Sequence, residues 1–169
     1  MSEENIKKAV EKFYEIRDIP YHIALHGEED CSCGSKNKKL AQELEGLGYK
    51  TRERIALFRW GQQDLPKEVS ANAEEDDCSH LFLEVIPPGK NDWIVVDATW
   101  NPELRSSVLE VSEWDGLNST INAVQYYELI PVGKNQQYFD LIDDQEDLRI
   151  NYKIYDAFNK YCDSFLEKE

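Results

Sequence analysis

Apolar residues recur at helical spacing in three places along the chain. Leu40, Ala41, Leu44 and Leu47 share one face of a stretch whose opposite face carries Lys38, Lys39, Gln42, Glu43 and Glu45. Gly48 follows the last periodic leucine and reads as its stop, and Ser32 reads as its N-cap. Ile6, Val10, Phe13 and Tyr14 line a first helix, over 2–17, with Ser2 as cap and Pro20 beyond its end. Ile154, Phe158, Tyr161, Cys162 and Phe165 form the stripe of a C-terminal helix over 151–168, capped by Asn151. Between these the period changes to two. Arg52–Trp60, His80–Ile86, Asp92–Thr99 and Ala123–Pro131 read as strands, with 108–111 as a short strand or turn, 61–77 as a surface loop with room for a helical turn, and 114–119 as a loop. Pro87-Pro88-Gly89-Lys90-Asn91 is turn chemistry, so the second and third strands pair as an antiparallel hairpin. Helices first and strands after predict an α+β fold, with helices packed on one side of an antiparallel sheet.

The chain has 169 residues, 41% hydrophobic and 31% charged, which fits one domain spanning 1–169 with a real core. No apolar run reaches the length of a membrane span, and the first ten residues are polar rather than a secretory signal, so the expected compartment is cytoplasmic. Cys31, Cys33, Cys78 and Cys162 make no spaced disulfide framework. A net charge of −15 disfavours nucleic-acid backbones and membranes as partners. It favours a basic or neutral substrate, although solubility alone is a sufficient reason for it. No phosphate-binding glycine loop and no His-Glu-x-x-His metal motif is present, and no cofactor is expected.

Cys33 falls in the first turn of the second helix, where free backbone N–H groups and the helix dipole stabilise a thiolate. His80 begins one strand of the hairpin and Asp97 ends its partner. Antiparallel pairing puts those two ends side by side, with both side chains on one face. A carboxylate beside a histidine fixes its tautomer and supports the imidazolium. If the helix sets its N-terminus on that face, Cys33 meets His80, and the three are equipped for acyl transfer. His22 and His26 read as loop residues without a carboxylate partner, Glu84 as structural, and Trp93 and Trp100 as core or site walls.

These motifs resemble the transglutaminase-like superfamily. Cys33-x-x-Lys36, the leucines at 40, 44 and 47, Gly48 and Arg52 look like its nucleophile helix. His80-x-Phe82-x-Glu84-Val85 and Trp93-Ile94-Val95-Val96-Asp97-Ala98-Thr99 look like its histidine and aspartate motifs, and Ile16-Arg17-Asp18-Ile19-Pro20-Tyr21 like the segment before the helix. The resemblance covers residues 13–100 in order. It implies a papain-like α+β fold with Cys33 as nucleophile, His80 as general base and acid, and Asp97 as orienter. The family includes transamidases, peptidases, amidases and members without activity, and the implied partner is a peptide or amide substrate. Cys31 stands where the family often has glycine, and Ala98 where it often has proline. No Gln or Trp precedes Cys33, so the backbone N–H of Cys33 is one oxyanion donor, with Tyr21 or His26 as the candidate second.

Two readings of another class compete. Cys31-x-Cys33 and Cys78-x-His80 supply four zinc-type ligands, and an interaction domain can keep this fold without turnover. The same two pairs raise a redox reading, in which Cys31 bonds Cys78 or resolves an oxidised Cys33.

Overall fold

The computed structural model describes residues 3–106 and 108–167. Its elements in order are α1 (Glu3–Arg17), α2 (Cys33–Gly46), β1 (Lys50–Arg59), the short α3 (Lys67–Ser70), β2 (Asp77–Ile86), β3 (Ile94–Val96), β4 (Tyr126–Leu129), α4 (Asn135–Asp140) and α5 (Asp144–Leu166). The fold is α+β, with a four-stranded antiparallel sheet in the order β3-β2-β1-β4. Among the described residues no helix is long and apolar enough to cross a membrane.

Strand alternation sorts the side chains onto two faces. Leu83 and Val85 of β2 and Val96 of β3 pack against Ala9, Phe13 and Ile16 of α1 and Leu40, Ala41 and Leu44 of α2. The alternate face carries Phe58 of β1 and Cys78, His80 and Phe82 of β2. There a second core gathers Phe58, Tyr21, Trp60 and Trp100 against Ile154, Phe158 and Cys162 of α5. Helices therefore cover both faces of the sheet, not one side as the element order predicts. The stripe of α5 is apolar enough to demand its own surface, and the sheet face bearing Phe58 supplies it. The far end of that face is polar: Glu84 meets Arg52 at 2.5 Å and Arg54 at 2.8 Å across β1, which is the structural role expected of it.

Other expectations shift for local reasons. Helix α5 begins seven residues before Asn151, because the Asp143 carboxylate accepts from the N–H groups of Gln145 and Glu146 and so caps it. Asn151 is instead buried inside the helix and donates to Asp147 at 3.0 Å. The caps expected at Ser2 and the helix end at Lys168 lie outside the described residues. Residues 108–111 form no strand, and β4 is shorter than predicted, meeting β1 at a bulge between Leu57 and Phe58. Gly48, at φ 90°, ends α2 as expected. Trp93 is neither core nor site wall; it is 37% exposed, with the Arg52 guanidinium 4.1 Å above its ring.

Candidate active site

The hairpin pairs as predicted, with Leu83 opposite Val96, Glu84 opposite Val95 and Val85 opposite Ile94. That register places His80 and Asp97 diagonally on one face. The paired strand, however, ends at Val96 rather than Thr99. Asn37 explains why. Its amide donates to the Leu81 carbonyl at 3.0 Å and accepts from the Ala98 N–H at 3.1 Å, occupying the gap where those two residues would otherwise bond directly. The same amide lies 3.4 Å from Asp97 Oδ1 and 3.2 Å from Thr99 Oγ1, and donates to the Cys33 carbonyl at 3.1 Å. Asn37 is fully buried. The body of α2 thus packs on the sheet face opposite His80, and its first turn enters the opened seam between the strands. Cys33, one turn ahead of Asn37, emerges on the His80 side. The N-terminus of the helix meets the His80 face, as the sequence reading requires, and it does so through the seam while the helix body lies on the other face.

Lys36 anchors this entry. The residue is 2% exposed, and its ammonium donates at 2.8 Å to three carbonyls, those of Arg17, Ile19 and Thr99. It ties the end of α1, the chain leading to α2 and the exit of β3 to one point. Burial pushes this amine down to about 7, while Cys31 and Asp97 pull the other way. The three carbonyl acceptors also favour its charged form.

Cys33, His80 and Asp97 meet. The Asp97 carboxylate accepts from His80 Nε2 at 2.7 Å, and the Cys33 sulfur neighbours the same ring. Burial works against the imidazolium, but the Asp97 carboxylate and the neighbouring sulfur outweigh it and raise His80 to about 10. Burial likewise opposes ionisation of Asp97, yet His80, Thr99 and the Ala123 N–H hold its carboxyl below the usual range. Asp97 is held from every side. Oδ1 accepts from the Thr99 hydroxyl at 2.5 Å, Oδ2 from the Ala123 N–H at 2.9 Å, and its own N–H donates to Thr120 Oγ1 at 2.9 Å. His80 also stacks on Phe82, with centroids 6.1 Å apart and planes 15° from parallel.

Cys33 is half-buried and opens with His80 onto a cavity of about 530 Å³ between the second core, the Asp30–Ser32 approach and the start of α5. As the first residue of α2, Cys33 has a backbone N–H with no intrahelical acceptor. Ser32 stands at the N-cap position as expected, but its hydroxyl donates to Asp30 Oδ2 at 2.6 Å instead of capping. Of the two candidate second donors, Tyr21 lines the cavity beside Cys33. His26 does not; it is exposed and pairs with the Tyr152 hydroxyl at 3.1 Å. His22 has the carboxylate partner the sequence did not reveal, Glu28 at 3.0 Å. Trp100 is a site wall as expected, its indole donating to the Ala123 carbonyl at 2.9 Å.

All four cysteines are free. Cys78 shares the cavity with Cys33, whereas Cys31 does not line it; its backbone bridges to His22. Among the described residues no three His, Cys, Asp or Glu side chains gather as metal ligands, so Cys31, Cys33, Cys78 and His80 do not form the four-ligand cluster that the spacing suggests.

Sequence reasoning missed Asn37, and used Lys36 only as a spacing marker. Both lie on the helix face that holds Leu40, Ala41 and Leu44, and polar residues in line with an apolar stripe are the signal that finds them. Compared with family models, curated proteins and solved structures, the chain gives no match.

Proposed function

We propose that this protein is a thiol enzyme of the transglutaminase-like kind, with a papain-like core, that cleaves an amide or peptide bond through a covalent acyl intermediate. The observation that carries the reading is the line from Asp97 through His80 to Cys33, opening on a cavity. Cys33 passes its proton to His80 Nδ1, and the sulfur attacks the amide carbonyl. The oxyanion that forms takes the backbone N–H of Cys33, with the Tyr21 hydroxyl as second donor. His80 returns the proton to the departing nitrogen, the C–N bond breaks, and a thioester remains on Cys33. Water then attacks the thioester, giving its proton to His80 Nδ1, and the acid leaves as the thiol re-forms. Asp97 keeps Nε2 protonated, so that Nδ1 is the nitrogen that exchanges the proton at each step. Hydrolysis is favoured over transamidation because water is the default acceptor.

The test is intact-mass analysis after mixing with activated thioester and ester acyl donors. The expected result is a single adduct on Cys33 that hydroxylamine releases and Cys33→Ala abolishes. Acylation that persists in Cys33→Ala refutes the reading.

A further inference from the structure

Resting on the reading of Cys33 as the nucleophile, we infer that the substrate is a small cationic amide, one that carries a protonated nitrogen on an apolar, ring-sized body. The cavity beside Cys33 has the volume of a small-ligand site. Its walls are packed aromatic rings: Tyr21 lies edge to face 4.8 Å from Trp100 and 5.7 Å from Phe158, and Trp60 lies tilted 5.4 Å from Phe158, between ring centroids. Aromatic faces of this kind hold apolar bodies and attract cations.

The charged groups on this lining are of one sign apart from His80. Asp30 stands at the Cys33 end, Asp144 and Asp147 stand at the start of α5, and among the described residues no lysine or arginine lines the cavity. An acidic first turn is ordinary for a helix, but here the turn is divided. Glu146 faces away and pairs with Arg149 at 2.5 Å. Asp147 is fixed at the cavity by the Tyr155 hydroxyl and the Asn151 amide, both at 3.0 Å. Carboxylates at both ends of an aromatic-walled cavity fit an amide with a cationic substituent, and they repel an anionic one.

The probes are methanethiosulfonates carrying a trimethylammonioethyl, a methyl or a sulfonatoethyl group. The rate of modification of Cys33 is followed by peptide mass spectrometry, and each rate is divided by that of a free cysteine derivative. The cationic reagent is expected to modify Cys33 about 100-fold faster than the anionic one, within the range that one-signed clefts produce. Asp144→Asn/Asp147→Asn should cut that ratio by about fivefold or more. Glu4→Gln/Glu11→Gln removes the same net charge far from the cavity and should leave it unchanged. Equal corrected rates for cation and anion in the unmodified protein overturn the inference alone, as does an equal fall in both double variants. Failure of all three reagents to modify Cys33 overturns the nucleophile reading and the inference with it.

Discussion

Replacing Asn37 by alanine tests how the seam between β2 and β3 is held open. The truncation removes the donor to the Leu81 carbonyl and the acceptor of the Ala98 N–H, at 3.0 and 3.1 Å, from a fully buried position. Each buried polar group left without a partner costs about 1–3 kcal/mol. Two such groups give about 2–6 kcal/mol, and a water entering the vacated space recovers part of it. The expected loss is therefore about 2–4 kcal/mol. Urea denaturation reads this as a lower midpoint at unchanged slope. Asn37→Asp makes the argument sharper: it sets a second carboxyl at the position now 3.4 Å from Asp97 Oδ1 and keeps no amide donor. Its loss should exceed that of the alanine variant and grow as pH rises. An Asn37→Ala protein within about 0.5 kcal/mol of the parent, the size of an ordinary surface change, refutes the wedge.

Three further outcomes follow from the same geometry. His80, held at about 10 against an ordinary 6.5, contributes stability that is complete below pH 6.5 and is lost as pH rises through 10. The stability difference between the parent and His80→Ala, measured in urea from pH 6 to 9, should therefore shrink with pH; a constant difference contradicts it. Taking that difference also removes the opposite slope that Lys36, lowered to about 7, contributes above that pH. Lys36→Met leaves three buried carbonyls without a donor and should cost about 3 kcal/mol or more in the same assay, despite relieving a buried charge. Asp143→Ala removes the cap of α5 and should cost about 1 kcal/mol by thermal or urea unfolding, with no change at Cys33.

Much of this arrangement is legible in the sequence because period and turn chemistry are local. The leucines of α2, the stop at Gly48, the proline-glycine turn after Ile86 and the His80–Asp97 diagonal all follow from spacing within one or two elements. The parts that escape are non-local. Asn37 bonds residues 44 and 61 positions away, and a mid-helix asparagine carries no local mark of that reach. Thr120 belongs to no periodic pattern, and Ala123, which reads as the start of a strand, fixes Asp97 from a loop instead. The start of α5 was misplaced for a different reason: the apolar stripe begins at Ile154, while the polar turns from Asp144 rest on the Asp143 cap and an acidic first turn rather than on burial. The second face of the sheet was invisible because the residues that cover it, Tyr21, Trp60, Trp100 and Phe158, are scattered across the chain.

The most direct test of the central claim is the rate at which iodoacetamide alkylates Cys33 at pH 7 in the parent and in His80→Ala, with the other thiols as internal references. Burial pushes Cys78 and Cys162 up to about 12, so both should react far more slowly than Cys33. A Cys33–His80 pair predicts that His80→Ala slows Cys33 by about tenfold or more while leaving Cys162 unchanged. Equal rates at Cys33 in the two proteins contradict it.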